Sequence, residues 1–439
     1  MELETKIKLP TTNYKGTRDF FPNDMKLRNW MFSTMREVVT RYGYLEYDGP
    51  ILESLELYKA KSGEEIEKQL YSFVDKGGRQ VAIRPEMTPT LARMVASKLR
   101  ELPRPIRWFS IPNLWRYENP GYGRLREHWQ LNVDLFGVNH WTAELEIIRL
   151  ACDILFAFGA NNKDFRVNFS HREILNNFLQ KTLKLEPEKE YAVAKLLDKK
   201  NKISKEEFES QILDLLPNSK QDLEVLYKFL SSNLENILEI PNINIKVVEE
   251  VKEFYKAIEK LGLKDTVFFD PSIIRGFDYY TGFIFEIFDT DPKNKRSLYG
   301  GGRYDNLIGL FSNEQVSGIG FGLGDVTLQN FLSLHNLLPS FQSQAGIYLG
   351  VLGEKVFFSG MELAGNLRKE GILCETNLDL NVKLSKLIPQ VEKKGYRYML
   401  LFGEEELDSS SIILKDLKEN IQKKLSLVEI ISEVKRLKF

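Results

Sequence analysis

From residue 128 to residue 135 the chain alternates strictly between polar and apolar side chains. The polar set, extended by Arg126, is Arg126, His128, Gln130, Asn132 and Asp134, and the apolar set is Trp129, Leu131, Val133 and Leu135. A period of two predicts a β-strand with one buried face. An ordinary half-buried strand turns its polar face to water. A polar face that lacks Lys, Ser and Thr favours instead the floor of a cleft.

The preceding residues support a cleft at this place. Arg116 and Glu118 are two residues apart on a predicted strand, so their side chains share a face. The loop that follows, 119–124, contains Gly121 and Gly123, and glycine lets a backbone approach a ligand closely. A hairpin with these side chains on one face indicates a binding site.

The bulk properties set limits on the partners and on the compartment. The chain has 439 residues and a formal net charge of −1, so about two or three domains and no global attraction to nucleic acid are expected. Any RNA partner must be held by a local patch or by shape. Cys152 and Cys374 form no disulfide framework and no metal-ligand spacing. Without an apolar signal core or a membrane-spanning run, the sequence predicts a cytoplasmic protein with no membrane attachment.

The residue patterns along the chain predict one discontinuous domain, a helical insertion within it, and a separate C-terminal domain. Between residues 175 and 263, Lys and Glu dominate, leucines recur at helical spacing and glycine is nearly absent, which predicts a helical insertion. Strand patterns before and after it predict one domain formed by residues 1–174 and 264–335. After a linker, alternating strand and helix patterns over 345–439 predict a small α/β domain.

Three local patterns give sharper predictions. A helix over about 25–42 is followed by Gly43, which stands where a C-terminal cap glycine would. A second helix is predicted to begin with Thr88 as its N-cap and Pro89 as its first residue. The glycine-rich stretch 299–307, YGGGRYDNL, is predicted to be a turn.

Several motifs carry a family resemblance. The pattern W-R-x-E, then a loop, then R-x-x-x-Q-x-x-x-D resembles motif 2 of class II aminoacyl-tRNA synthetases. Three segments resemble signature segments of the histidyl-tRNA synthetase family: RPEMT at 84–88, RGFDYYTG at 275–282 and GGGRYDNL at 300–307. GTRDFFP at 16–22 and Pro50 resemble the N-terminal and motif 1 elements of that family. GEEEL at 403–407 and ILKDL at 413–417 resemble its anticodon-binding domain. The resemblance covers nearly the whole chain, with the motifs in order.

The resemblance implies a fold and an activity. The implied fold is α+β, a six-stranded antiparallel sheet flanked by helices, with a helical insertion and a C-terminal α/β anticodon-binding domain, in a homodimer. The implied activity is that of a histidine–tRNA ligase, which activates L-histidine with ATP to histidyl-adenylate and transfers the histidyl group to the 3′ end of histidine tRNA. The resemblance also implies that Mg²⁺ bridges the phosphates of ATP, and the sequence offers no separate metal-ligand cluster.

The resemblance also assigns roles to individual residues. It assigns catalysis to Arg116 and Arg275, histidine binding to Glu86, Thr88, Arg116, Gln130, Asp134, Arg275, Tyr279 and Tyr280, and ATP binding to Arg116, Glu118, Arg124 and His128. The two catalytic arginines would offset the repulsion between the histidine carboxylate and the α-phosphate. Plainer roles remain open: an ion pair for Arg275, helix capping for Thr88, and core packing for Tyr279 and Tyr280.

Three positions around motif 2 depart from the family pattern. His128 stands where the base-stacking residue is usually Phe, and Asp134 stands where the imidazole-reading carboxylate is commonly Glu. Gly121 stands where the loop often carries Gln, which leaves open how the extra 5′ guanosine of histidine tRNA is read. Arg126 is then the expected contact to the acceptor end.

The largest departure lies in motif 3. The family usually ends in G-L-E-R-L, whose Arg pairs with the γ-phosphate of ATP, whereas residues 324–328 read GDVTL. Thr327 occupies the Arg position and carries no charge. Either another base such as Arg124 or Arg303 compensates, or ATP binds weakly.

Two non-catalytic alternatives follow from that loss. One is the regulatory subunit of ATP phosphoribosyltransferase, which shares the catalytic fold, and the other is a histidine- or RNA-sensing module. The intact RGFDYYTG segment and the C-terminal α/β domain favour the ligase over both.

Overall fold

We obtained a computed structural model of the chain. It describes residues 9–59, 68–200, 203–274, 280–294, 296–341, 344–379 and 381–437. The roles predicted for Arg275 and Tyr279 therefore concern residues outside the described part of the chain. The protein divides into two compact units, Met1–Leu338 and Pro339–Phe439, and each is described separately.

The first unit contains two sheets and most of the helices. Its strands are β1 Leu45–Glu46, β2 Leu52–Ser54, β3 Tyr71–Val74, β4 Gln80–Ile83, β5 Ile106–Ser110, β6 Asn113–Trp115, β7 Glu127–Phe136, β8 Phe165–His171, β9 Val267–Phe269, β10 Phe283–Asp289, β11 Ser297–Arg303 and β12 Gly318–Gly324. Its α-helices are α1 Pro22–Arg41, α2 Leu55–Lys59, α3 Thr88–Ser97, α4 Thr142–Ala157, α5 Arg172–Asn177, α6 Pro187–Lys199, α7 Lys205–Leu213, α8 Ser219–Leu230, α9 Ile245–Lys260 and α10 Asp325–Leu334.

The large sheet has the order β1-β5-β7-β12-β11-β10-β8-β9, and β6 pairs with β7. Within the described residues, the six strands from β5 to β8 in this order are each antiparallel to their neighbours. The edge strands β1 and β9 are short and pair in parallel. The six-stranded antiparallel sheet that the resemblance implied is therefore present, extended by one parallel strand at each edge.

The predicted turn at 299–307 is correct only in its second half, because residues 299–303 lie within the central strand β11 and the turn follows at 305–306. Glycine is required there by the close approach of the neighbouring strands. A Cβ atom at Gly301 would lie 1.9 Å from the carbonyl oxygen of Gly320, and one at Gly302 would lie 2.7 Å from that of Phe283. The glycine run thus reflects crowding inside a sheet, which a sequence pattern cannot distinguish from turn chemistry.

The apolar face of β7 is covered by helices. Leu131 and Val133 are fully buried, in one cluster with Met35 of α1 and Ile147 of α4. Helix α1 ends before Gly43, which has a φ of +81°, so the predicted C-terminal glycine is confirmed.

The segment between β8 and β9 is helical, as predicted. Its side chains belong to the same apolar cluster as the sheet. Phe178 and Phe229 stack with ring centroids 4.0 Å apart, and Phe254 of α9 packs against Phe169 of β8. These helices are therefore anchored on the large sheet through a shared core.

The second unit is a mixed α/β fold. Its elements are β13 Gln344–Leu352, α11 Phe357–Lys369, β14 Cys374–Thr376, α12 Leu384–Lys393, β15 Tyr396–Gly403, α13 Glu404–Asp408, β16 Ser411–Asp416, β17 Ile421–Ser426 and α14 Ile430–Arg436. The strand order is β14-β13-β15-β16-β17, with parallel pairing around β13 and antiparallel pairing beyond β15. Apolar clusters lie on both faces of this sheet. Among the helices that the structure describes in either unit, none has the length and apolar character to cross a bilayer.

Candidate active site

The polar face of β7 forms the floor of a pocket. The pocket is lined by Glu86, Thr88, Arg116, Gln130, Asn132, Asp134, Tyr280, Gly300, Tyr304, Gly320, Phe321 and Gly322. Side chains predicted to bind histidine thus come together from segments that are far apart along the chain. The polar side chains at Gln130, Asn132 and Asp134 of β7 are therefore explained by a cleft.

Glycines on β12 make room for the side chains of β7. Gly320 pairs with Asp134, and a Cβ atom there would lie 2.3 Å from Oδ1 of that residue. At Gly322 a Cβ atom would lie 2.8 Å from Cδ of Gln130. Both polar side chains therefore lie across the neighbouring strand. The G-x-G-x-G spacing at 318–322 was the sequence signal for this, and sequence reasoning missed it.

Asp134 is a buried acceptor in the pocket. The hydroxyl of Tyr304 donates a hydrogen bond to its Oδ1, whereas within the described residues its buried Oδ2 has no hydrogen-bond partner. Burial raises the pKa of Asp134 to about 7, although the bond from Tyr304 lowers it. Tyr304 was not predicted as a site residue, although it lies within the GGGRYDNL motif.

The RPEMT segment is held rigidly at the pocket wall. The guanidinium of Arg84 donates to Asp48 at 2.7 Å and to the carbonyl oxygen of Asn113 at 3.0 Å. Nε of Arg116 donates to the carbonyl oxygen of Pro85 at 2.8 Å. These bonds fix the backbone that carries the next residues, which line the pocket.

The capping role predicted for Thr88 is wrong. Helix α3 begins at Thr88 itself, Met87 occupies the N-cap position, and no side chain caps the helix there. The hydroxyl of Thr88 therefore does not cap the helix, and the side chain lines the pocket.

The residues predicted to bind ATP lie around the motif 2 loop. Glu118 and Arg124 form an ion pair at 3.3 Å, and Arg124 remains half exposed. The pKa of His128 is lowered to about 3, first by desolvation and then by the positive charges of Arg116 and Arg18. His128 is therefore neutral near pH 7, and a neutral imidazole can stack on a base.

Two arginines that the sequence suggested as ligand contacts instead bind other groups of the protein. Arg126 is nearly buried, donates to the carbonyl oxygen of Glu118 at 3.1 Å and to the hydroxyl of Tyr14 at 2.9 Å, and so holds the loop. Arg303 is buried, pairs with Glu144 at 2.7 Å, and is not positioned to replace the motif 3 arginine. Arg126 as the acceptor-end contact and Arg303 as the compensating base are therefore both disfavoured by burial.

A family model described as Histidyl-tRNA synthetase matches residues 16–326, and one described as Anticodon binding domain matches residues 347–437. The chain belongs to the histidyl-tRNA synthetase family. It is 57% identical over 429 residues to a histidine–tRNA ligase of Leptospira biflexa, with 98% of each chain covered. It is 34% identical to a histidine–tRNA ligase of Pyrococcus horikoshii, with 96% of this chain and 98% of the relative covered.

Solved structures show the histidyl-tRNA synthetase fold. The histidyl-tRNA synthetase from Nostoc sp. has a TM-score of 0.78 at 21% identity, covering 98% of this chain and 100% of that one. A protein from Bacillus halodurans described as an ATP phosphoribosyltransferase regulatory subunit/histidyl-tRNA synthetase has a TM-score of 0.76 at 23% identity, covering 90% and 100%. The fold alone therefore does not separate a ligase from the non-catalytic alternative.

Proposed function

We propose that the chain is a histidine–tRNA ligase, which activates L-histidine with ATP and transfers the histidyl group to the 3′ end of histidine tRNA. The observation that carries this proposal is the buried Oδ2 of Asp134, an unpaired acceptor within the described residues at the floor of a polar pocket. The identity of 57% to a histidine–tRNA ligase over nearly the whole chain supports the ligase over the non-catalytic alternatives.

Histidine recognition follows from that acceptor. An imidazole N–H donates to Oδ2 of Asp134, while Tyr304 holds Oδ1 and so fixes the orientation of the carboxylate. Tyr280 lines this pocket, and the family resemblance assigns the same role to Tyr279, which lies outside the described residues. A buried polar site of this kind rejects analogues without the N–H group by about 10⁴-fold or more, because the analogue leaves the acceptor unpaired.

The ammonium group of histidine is bound by Glu86, Thr88 and Gln130. Glu86 is buried at the pocket wall, so its charge is felt strongly by a bound cation. This arrangement orients the substrate carboxylate toward Arg116, whose guanidinium is already held by the carbonyl oxygen of Pro85.

Adenylation brings that carboxylate against the α-phosphate of ATP. Arg116 offsets part of the repulsion between the two anions, and the family resemblance assigns the second offsetting charge to Arg275, a residue outside the described part of the chain. Catalysis consists mainly of positioning and charge neutralisation. The base stacks on His128, and Glu118 and Arg124 bind the base and the γ-phosphate. ATP must then break the Glu118–Arg124 ion pair.

Mg²⁺ is proposed as a companion of ATP. Within the described residues, no group of three or more His, Cys, Asp or Glu side chains could hold a metal ion. Mg²⁺ commonly binds through substrate phosphates and one or two carboxylates, so we expect the ion to arrive with the triphosphate of ATP.

The second unit is proposed to read the anticodon of histidine tRNA, and the first unit to form a homodimer. The Anticodon binding domain model covers most of the second unit. In the first unit, Ile51, Leu52, Phe73 and Val74 are exposed in or beside the small sheet β2-β4-β3, and Leu45 is exposed on β1 of the large sheet. Exposed apolar side chains are common at subunit interfaces.

The test is ATP–pyrophosphate exchange with histidine as the sole amino acid and without tRNA. Histidine-dependent exchange is expected, followed by charging of histidine tRNA. Histidine binding without any exchange would contradict the proposal and support the regulatory subunit or the sensor.

A further inference from the structure

Asn132 is a polar residue of the pocket that has no role in the family pattern. It lies on β7 between Gln130 and Asp134, lines the same pocket as both, and is only 5% exposed. In the motif 2 pattern R-x-x-x-Q-x-x-x-D it occupies one of the unspecified positions. A polar side chain buried beside a ligand pocket finds its hydrogen-bond partners in the protein or in the ligand.

The donor end of the Asn132 amide is already bound. Its Nδ2 donates a hydrogen bond to the carbonyl oxygen of Gln130 at 3.0 Å. Because only the nitrogen of a side-chain amide can donate, this bond also fixes where Oδ1 lies. Among the described residues, no group donates a hydrogen bond to Oδ1, and packing does not close this oxygen off. The acceptor end of Asn132 is therefore available to a molecule in the pocket.

The neighbouring strands leave this acceptor unoccupied. The residues paired with Asn132 are Gly322 on β12 and Ser110 on β5. Gly322 has no side chain, and the amide of Gln130 lies over it, since a Cβ atom there would lie 2.8 Å from Cδ of Gln130. Oγ of Ser110 is buried and has no hydrogen-bond partner in the described part of the chain. Neither neighbour therefore donates to Asn132.

The place of Asn132 along β7 relates it to one part of the substrate. Two residues advance a strand by about 6.6 Å, so Asn132 lies midway between Gln130 and Asp134. The proposed function places the ammonium group of histidine at Gln130 and an imidazole N–H at Asp134. Of the two ring nitrogens, Nδ1 is the closer to the ammonium group. With Nε2 at Asp134, Nδ1 therefore lies on the side of Asn132.

The two acceptors suit one form of the imidazole ring. A neutral imidazole has one N–H group and one acceptor nitrogen, whereas an imidazolium has two N–H groups. Oδ2 of Asp134 and Oδ1 of Asn132 can only accept when the carboxylate is ionised, so together they match the two donors of an imidazolium. The negative charge of Asp134 favours the same form of the ring.

We propose that Asn132 is a specificity-determining residue, whose Oδ1 accepts a hydrogen bond from Nδ1–H of the histidine ring while Asp134 accepts one from Nε2–H. This inference rests on the proposed function, since it adds a contact to the same histidine site. A ring that cannot donate at both nitrogens leaves an acceptor of the pocket unpaired. That penalty gives the site a physical means of selecting histidine among amino acids of similar size.

Calorimetry of histidine and Nδ1-methylhistidine binding, without ATP or tRNA, tests the contact. Asn132→Ala should weaken histidine binding by about five- to tenfold, the effect of losing one hydrogen bond. It should not weaken the binding of Nδ1-methylhistidine, which has no N–H group at that nitrogen. The ratio of the two affinities should therefore fall by about fivefold or more.

Ser110→Ala is the matched control. Ser110 lies directly opposite Asn132, is not among the described residues that line the pocket, and has a hydroxyl that is already unpaired. Its replacement should leave the histidine affinity and the ratio within about twofold of the wild type. A change in the ratio as large as that of Asn132→Ala would overturn the inference, because the effect would then come from the packing of the sheet.

Two other results would overturn the inference. One is an equal loss of affinity for both ligands in Asn132→Ala, which indicates a structural role. The other is an unchanged histidine affinity with tighter binding of Nδ1-methylhistidine, which indicates that the substitution only made space.

Measuring binding keeps this inference distinguishable from the ligase assignment. A lower ratio in Asn132→Ala, with no ATP–pyrophosphate exchange by the wild type, supports the inference and overturns the ligase assignment. Exchange by the wild type, with an unchanged ratio in Asn132→Ala, supports the ligase assignment and overturns the inference.

Discussion

The hydroxyl of Tyr304, directly after β11, donates a hydrogen bond to the carboxylate of Asp134 on β7. The two strands are separated by β12, whose Gly320 leaves room for the contact. One carboxylate oxygen is thereby occupied, and within the described residues the other is left for a ligand. This relationship decides how the pocket responds to pH and to mutation.

Tyr304→Phe should shift the pH dependence of histidine binding upward. The pKa of Asp134 is raised to about 7 by burial, and the bond from Tyr304 lowers it. Removing the hydroxyl raises that pKa further, so the ionised acceptor forms only at higher pH. We expect the midpoint to rise by about 0.5–1 pH unit. Histidine affinity measured from pH 5.5 to 9 in both proteins checks this, and superimposable profiles would contradict it.

Asp134→Asn should stabilise the fold at alkaline pH while weakening histidine binding. The pKa of Asp134 is above its ordinary value, so ionisation destabilises the folded state as pH rises through about 7. Asparagine carries no such charge, and the free energy of unfolding at pH 8 should rise by about 1–2 kcal/mol. Denaturant unfolding at pH 5 and pH 8 tests this. A variant that is less stable than the wild type at pH 8 would refute the account.

Gly320→Ala should damage both stability and histidine binding. The added Cβ atom would lie 2.3 Å from Oδ1 of Asp134 and 2.5 Å from the carbonyl oxygen of Val133. Overpacking against backbone costs about 1–3 kcal/mol, and the displaced carboxylate should lower histidine affinity by at least about tenfold. Gly309→Ala is the matched control, since its Cβ atom would meet nothing within 4 Å. Equal effects of the two substitutions on denaturant unfolding would argue against the crowding.

Arg303→Ala should act on stability and not on ATP binding. Arg303 and Glu144 form a buried ion pair, and removing one partner leaves an unpaired buried charge that costs about 3–5 kcal/mol. Removing both side chains should cost less than the sum of the single changes. Chemical denaturation and the ATP KM distinguish the two roles. A well-folded variant with weak ATP binding would instead make Arg303 a nucleotide ligand.

Deleting the residues after 338 should spare amino-acid activation and impair tRNA charging. The first unit has its own apolar core around the large sheet, and the pocket lies within it. We expect the rate of ATP–pyrophosphate exchange to stay within about threefold of that of the full chain, because the pocket is unchanged. The rate of tRNA charging should be at least about tenfold lower if the second unit contributes about 1.4 kcal/mol or more to tRNA binding. Full charging by the truncated protein would mean that the second unit does not read the anticodon.

Local patterns in the sequence predicted the parts of the site that depend on one strand or one turn. The alternation along β7, the helix that ends before Gly43 and the helical segment between β8 and β9 were all correct. Each depends on the periodicity of side chains or on a single backbone angle. None of these three predictions requires knowledge of a distant partner.

Predictions that depended on distant partners were less reliable. The sequence pattern predicts a turn at the glycines of β11, whereas the close approach of the neighbouring strands requires them. Arg126 and Arg303 were weighed as ligand contacts, yet the loop and Glu144 occupy them. A sequence shows that an arginine is present, but whether its donors are free depends on which groups the fold brings within about 3 Å.

The sequence by itself determined the family, the strand that forms the pocket floor and the identity of the polar side chains along it. Only the tertiary structure decided which of those side chains remain available to a substrate. Among the residues that the structure describes, Oδ2 of Asp134 has no hydrogen-bond partner, whereas Oδ1 accepts the hydroxyl of Tyr304. The number of hydrogen bonds that a side chain can form is a property of the residue. Which of them it forms depends on the donors and acceptors that the fold places beside it.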